Sequence, residues 1–193
     1  MSGTCGIITP ILAFISISLA IGSFPQFNWM NNALSDLGIV PGVTSVVFNC
    51  GLMASGVMGF IFATGLFMLL KKSVVGSTAT VVFALATIAL ISVGVFPESV
   101  RPVHYLVSVA FFVLLPISLI VVTGAFWLAG QVRMAIFTLT TAFATAIPWI
   151  LHFSIHYVAG VAIPEIISAL AVSIWVLVAS SKMLSAASQA KTS

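Results

Sequence analysis

The chain is poor in charge. Its 193 residues include six Lys or Arg and three Asp or Glu, so charged residues make up only 5%. Soluble domains carry roughly 25%, and 61% of this chain is hydrophobic. That composition excludes a soluble globular domain. The six basic residues form no dense run, which argues against a nucleic-acid partner.

Cysteine is also scarce. Cys5 and Cys50 are predicted at opposite ends of membrane-spanning segments, too far apart for a disulfide, so we expect both to be packing residues. The first segment lacks the basic region and the small-residue cleavage site of a signal peptide, so we expect it to be a retained span.

Apolar stretches dominate what remains. A membrane-spanning helix needs about 20 apolar residues, and six stretches meet that length, over residues 6–24, 44–70, 78–96, 104–131, 132–157 and 161–184. Each must be helical, because an exposed backbone has no hydrogen-bond partner in hydrocarbon. The sequence therefore predicts an all-α polytopic membrane protein, a single domain of six transmembrane helices over residues 1–193.

The few charges are sorted by side. Six crossings put Lys71, Lys72, Arg133, Lys182 and Lys191 on one side of the membrane, and only Arg101 breaks this pattern. The three acidic residues and the three histidines fall on the other side. Cytoplasmic loops collect Lys and Arg, so we expect both termini in the cytoplasm of a cell-membrane protein. The acids and histidines then lie at the outer end.

The first outer loop, about residues 24–43, carries a helical pattern. Asn28, Asn32, Ser35 and Asp36 share one side, and Trp29, Met30, Ala33 and Leu37 the other. This predicts a short amphipathic helix at the membrane interface, ended by Gly38. Asp36 would then lie at the helix C-terminus, where an acid opposes the dipole, so we expect a histidine or Arg101 as its partner.

The second predicted span carries small residues at four-residue spacing, at Gly51, Ser55, Gly59 and Ala63. They share one helix face. Small side chains in this pattern let another membrane helix approach closely, which predicts a packing seam.

Polar residues at the outer end are the candidate site. Ionisable groups at membrane depth cost free energy and are functional candidates by default. We predict an outward-facing pocket that binds a lipid headgroup, a metal or another small ligand, lined by Asp36, Ser35, Asn32, Glu98, Arg101, His104, His152, His156 and Glu165. Structural alternatives are a local Glu98–Arg101 ion pair and a first-turn helix acid at Glu165. Membrane lipids are the expected partners.

The histidines allow more specific alternatives. His152 and His156 are four residues apart and would share a face of one helix; with His104 they could supply three nitrogens to zinc, oriented by Asp36. That would be a metal-dependent lipid hydrolase at the outer leaflet. Alternatively, His104 and one of the pair could bind haem b axially, as in an electron-transfer subunit. A structural subunit of a larger membrane complex, or a homo-oligomer, is the remaining alternative.

Short motifs resemble a known family. They are the stretch LSDLG at 34–38, NCGL at 49–52, GVFP at 94–97, and His104. In these the chain resembles the domain-of-unknown-function 998 family, in span order over most of its length. The resemblance implies a six-helix bundle with a polar outer site and no established activity. The family's acid after the proline is Glu98 here, and its Glu-Arg pair near the last span appears only as Glu165-Ile166.

A second similarity is to the alkaline ceramidase and adiponectin-receptor superfamily of membrane hydrolases. Five residues match that superfamily's zinc-site residues by type: Ser35, Asp36, His104, His152 and His156. The chain departs from the pattern in having six predicted spans instead of seven. Its Asp also precedes the first His instead of following it.

Overall fold

Six long helices make up the protein. A computed structural model describes residues 1–192 and the side chains of residues 1–189. The helices are α1 (Ser2–Gly22), α2 (Val43–Leu70), α3 (Val74–Val95), α4 (Arg101–Leu128), α5 (Val132–Ile155) and α6 (Ala162–Thr192), with a 3-10 segment at Leu34–Ile39. Each is long and apolar enough to cross a membrane, α6 over Ala162–Gln189. The predicted all-helical architecture with six membrane-length helices is confirmed, and residues 1–192 contain no strand.

The helices run up and down. Each packs against the next in the chain, and α1 also packs against α6, which closes the bundle. One end, here the basic end, carries Lys71, Lys72, Arg133 and Lys182, whose ammonium donates to Gln131 Oε1 at 2.9 Å. The opposite end, here the carboxylate end, carries Asp36, Glu98 and Glu165. The side chain of Lys191 lies outside the described residues.

An aromatic cluster occupies the core nearer the basic end. Trp175 is fully buried, with its ring 6.2 Å from Phe62 and 5.7 Å from Phe83 between centroids. Its indole N–H donates to Thr138 Oγ1 at 2.8 Å. A buried tryptophan N–H usually has such a partner, and this bond joins α6 to α5.

The small residues of α2 lie against neighbouring helices. A Cβ added at Gly51 would collide with the Cβ and Oγ of Ser16 on α1, and one added at Gly59 would lie 3.1 Å from Thr87 Cγ2 on α3. All four positions of the predicted seam are buried. The absence of side-chain bulk therefore sets the distance between α2 and its neighbours.

The first loop differs from its prediction. The 3-10 segment starts only at Leu34, and Leu37 within it is fully buried. Upstream, Asn28 Oδ1 accepts from the Met30 N–H at 2.9 Å, and Asn32 Oδ1 accepts from the Asn28 N–H at 2.8 Å. Asparagine side chains that bond nearby backbone compete with helix formation, which explains the late start.

Asp36 accordingly lies in the first turn of the segment, and its expected position at a helix C-terminus was wrong. Its Oδ2 accepts from the Ala33 N–H at 3.0 Å and from Asn32 Nδ2 at 2.6 Å. A carboxylate in a first turn is favourable to the backbone dipoles. These two bonds, and not a bond from a histidine or Arg101, hold the Asp36 carboxylate.

Candidate ligand pocket at the carboxylate end

The first loop is tied to the start of α6 by three hydrogen bonds. The Gly160 N–H donates to Met30 O at 2.7 Å, and the Ala162 N–H donates to Asn32 O at 2.9 Å. The Leu34 N–H donates to Glu165 Oε2 at 2.6 Å. A Cβ at Gly160 would collide with the backbone of Asn31 and Asn32, so this approach requires glycine. These three hydrogen bonds hold the 3-10 segment over the end of the bundle.

A pocket of about 580 Å³ opens beside this junction. It runs along α4 from Arg101 to Val113, about 18 Å at 1.5 Å per residue. Its polar end is lined by Ser35, Glu98, Arg101, His104, Tyr105, Ser108 and Glu165, and the wall towards α5 by Phe112, Trp149 and Phe153. At its other end, Val109 and Val113 are 42% and 49% exposed on the bundle surface. The pocket is thus polar at the carboxylate end and apolar towards mid-bundle.

Two carboxyl groups meet at the polar end. The side chains of Asp36 and Glu98 are within hydrogen-bonding reach of each other, a bond that forms only when one of them carries a proton. With both ionised, the buried Oε2 of Glu98 has no donor. Arg101 Nη2 lies 3.6 Å from Glu98 Oε1, but the Arg101 side chain is 84% exposed. Such a pair contributes little.

The pKa of Glu98 is raised above its ordinary value. Burial is the largest cause, followed by the hydrogen bond with Asp36 and by the negative charge of Asp36. A protonated His104 and the Arg101 guanidinium act in the opposite direction. The Glu98 carboxyl therefore holds its proton more tightly in the folded protein than in the unfolded chain.

Stability should consequently depend on pH through Glu98. A carboxyl whose pKa is raised by folding stabilises the folded protein fully at pH values below its ordinary pKa of 4.5. This stabilisation is lost as the pH rises through the raised pKa. We expect the thermal unfolding midpoint in detergent to fall more steeply with pH above 4.5 in the wild type than in Glu98→Gln. Parallel profiles for the two proteins would contradict this assignment.

His104 is buried at the first turns of α4. Its Nδ1 lies 2.7 Å from the carbonyl oxygen of Phe96. Because a carbonyl only accepts, Nδ1 carries a proton. Nε2 then accepts from the Ser108 hydroxyl at 3.3 Å. Contacts to both ring nitrogens therefore fix the orientation of the His104 imidazole.

The two α5 histidines do not line this pocket. The helix ends at Ile155, and His156 follows in the left-handed conformation at φ 48°, so the pair does not share one continuous helix. Their ring centroids are 6.1 Å apart. Within residues 1–192, no three His, Cys, Asp or Glu side chains converge in a geometry that could hold a metal. The three-histidine zinc arrangement, and with it the metal-site residue set of the ceramidase resemblance, is therefore not assembled among the described residues.

The structure brings together most of the other predicted site residues. Five of them line the pocket: Ser35, Glu98, Arg101, His104 and Glu165. Asp36 lies within hydrogen-bonding reach of Glu98, and Asn32 Nδ2 donates to Asp36.

Sequence reasoning missed several lining residues, among them the polar residues Ser108 and Trp149. Ser108 could have been found from its four-residue spacing to His104. Trp149, whose buried indole N–H has no partner, carries no comparable signal in the sequence.

Comparison with known proteins supports one assignment. A family model described as a protein of unknown function (DUF998) matches residues 7–182. No curated protein and no solved structure matches the chain. The matched range includes the LSDLG stretch, the first five helices except for the start of α1, and α6 as far as Lys182. This multi-pass integral membrane protein belongs to the DUF998 family.

Proposed function

We propose that this protein binds the headgroup of a membrane lipid that carries an ammonium group. The observation that carries the proposal is the Asp36–Glu98 pair at the pocket wall, where the buried Oε2 of Glu98 lacks a donor when both carboxyls are ionised. A ligand ammonium supplies N–H donors and a positive charge at that point. Hydrogen bonds with an ionised donor or acceptor are roughly twice as strong as those between neutral groups.

The rest of the pocket suits the other half of a zwitterionic headgroup. The Arg101 guanidinium and the free indole N–H of Trp149 line the same pocket. Both are donors only, so they match phosphate oxygens. A phosphoethanolamine headgroup offers an ammonium to Glu98 and a phosphate to Arg101 and Trp149.

The pocket's shape and place favour a lipid over a wholly water-soluble ligand. Its deeper end is lined by Val109 and Val113, which are exposed on the outer surface of a membrane-length helix. We place the basic end in the cytoplasm, because four of the described basic residues lie there and cytoplasmic loops collect Lys and Arg. The pocket then opens to the outer leaflet.

Equilibrium binding to the purified protein tests the proposal. We expect lysophosphatidylethanolamine to bind more tightly than lysophosphatidylglycerol of the same chain length. Glu98→Gln should weaken binding of the ethanolamine lipid about tenfold to a hundredfold, the value of a hydrogen bond to a charged group. The variant should leave binding of the glycerol lipid nearly unchanged, because that lipid brings no ammonium.

Lys71→Gln is the matched control, since it removes one charge at the basic end, a bundle length from the pocket. It should bind both lipids as the wild type does. Equal affinity for the two headgroups, or full ethanolamine-lipid binding by Glu98→Gln, would refute the proposed function.

A further inference from the structure

A second cavity lies in the centre of the bundle, behind the pocket. Its volume is about 120 Å³, and five of the six helices line it, all except α5. Along α6 its lining runs from Glu165 to Val176, about 16 Å at 1.5 Å per residue. Phe62 and Phe83 line it as well, and Trp175 packs on their rings. The cavity is therefore long and narrow.

The central cavity adjoins the ligand pocket. Ser35, Ser108, Phe112 and Glu165 line both spaces. Ser35 and Glu165 lie at the carboxylate end of the bundle, and Ser108 and Phe112 follow one and two turns after His104 along α4. A molecule whose polar group occupies the pocket can therefore direct an attached chain between these residues into the bundle.

The lining gives water few partners. Three of its hydroxyls already bond within their own helices: Thr9 donates to Cys5 O at 2.9 Å, Ser55 to Gly51 O at 2.7 Å and Thr87 to Ala84 O at 2.7 Å. A buried water needs two to four polar partners, and apolar cavities of about 150 Å³ stay dry and take apolar guests. Hydrocarbon is the chemistry that fits this space.

We propose that one hydrocarbon chain of the bound lipid enters the central cavity, so that the protein holds its ligand by headgroup and chain together. For the identity of the lipid headgroup, this inference rests on the proposed function. The ligand class is a lipid with an ammonium-bearing headgroup and an unbranched chain, because a narrow channel of this length excludes a fused ring system. The rest of the lipid lies in the groove along Val109 and Val113.

Photo-crosslinking with a lysophosphatidylethanolamine that carries a diazirine in mid-chain tests this inference. Peptide mapping by mass spectrometry should place the label on interior residues such as Leu52, Phe83 and Leu115, which line the cavity. Unlabelled lysophosphatidylethanolamine should compete for this site. Free phosphoethanolamine at the same concentration should not, because it lacks the chain.

Ala169→Phe places a ring in the cavity, and we expect it to reduce interior labelling at least fivefold. Ala171→Phe is the matched control, because Ala171 lines neither cavity nor pocket and lies on a different face of α6. Its labelling should equal that of the wild type. If Ala169→Phe does not fold, the wild-type label map still decides the question.

Three outcomes separate the two proposals. Label confined to Val109 and Val113, and lost in Glu98→Gln, would overturn the chain's place in the cavity while supporting headgroup recognition. Interior label that persists in Glu98→Gln and is independent of headgroup would support the cavity and overturn the proposed function. Competition by free phosphoethanolamine equal to that of the lipid would overturn the role of the chain.

Discussion

Replacing Glu165 with alanine is expected to lower the free energy of unfolding by about 1–3 kcal/mol, the cost of leaving a buried donor unsatisfied. The donor is the Leu34 N–H, which bonds Glu165 Oε2 at 2.6 Å. Glu165 is itself 8% exposed. Of the three hydrogen bonds that tie the first loop to α6, the alanine substitution removes the one that a side chain accepts. Denaturant titration of the purified protein in detergent measures the change.

Glu165→Gln is the control for this prediction. Glutamine keeps an oxygen that can accept from the Leu34 N–H, so this variant should retain most of the stability. Equal losses in the two variants would mean that the charge of Glu165, and not its acceptor oxygen, stabilises the loop. No loss in Glu165→Ala would show that the tie contributes nothing to stability.

Replacing Gly51 with alanine should lower the free energy of unfolding by an amount similar to that of Glu165→Ala. The Cβ of Gly51→Ala would overlap the Cβ and Oγ of Ser16, and Ser16 is held by its own bond to Leu12 O at 2.7 Å. A Cβ cannot rotate away, so α1 and α2 must separate. Overpacking of this kind costs about 1–3 kcal/mol. The same denaturant titration measures it.

Gly124→Ala provides a control with the opposite sign. A Cβ at Gly124 would lie 3.5 Å from Val75 Cγ1, an ordinary contact. Gly124 is inside α4, where Gly→Ala stabilises a helix by about 0.4–1 kcal/mol. Destabilisation by both substitutions would mean that the contact with Ser16 is not what distinguishes Gly51.

The fold was largely predictable because hydrocarbon permits so few solutions. The six spans follow from hydropathy alone, and the seam follows from small residues on one face of α2. The first loop was less predictable, because Asn28 and Asn32 fit a helical pattern by spacing yet bond the backbone of turns. Spacing cannot distinguish a polar helix face from side chains that replace helical hydrogen bonds.

The site was predictable in part for a similar reason. Topology places Glu98, His104 and Glu165 at the same end of the bundle, and the sequence predicts that much. It does not determine which residues at that end share a pocket. His152 and His156 are at the correct end, but α5 ends between them and neither lines the pocket. Trp149 enters the pocket through packing of α4 against α5, which no local pattern encodes.

The central claim is that this protein selects a lipid by its ammonium headgroup, and native mass spectrometry of the protein extracted from its own membrane tests it most directly. We expect one ammonium-headgroup lipid to remain bound to the wild type and to Lys71→Gln, and to be absent from Glu98→Gln. Retention of that lipid by Glu98→Gln, or an unselective mixture of anionic and zwitterionic lipids on the wild type, would contradict the claim.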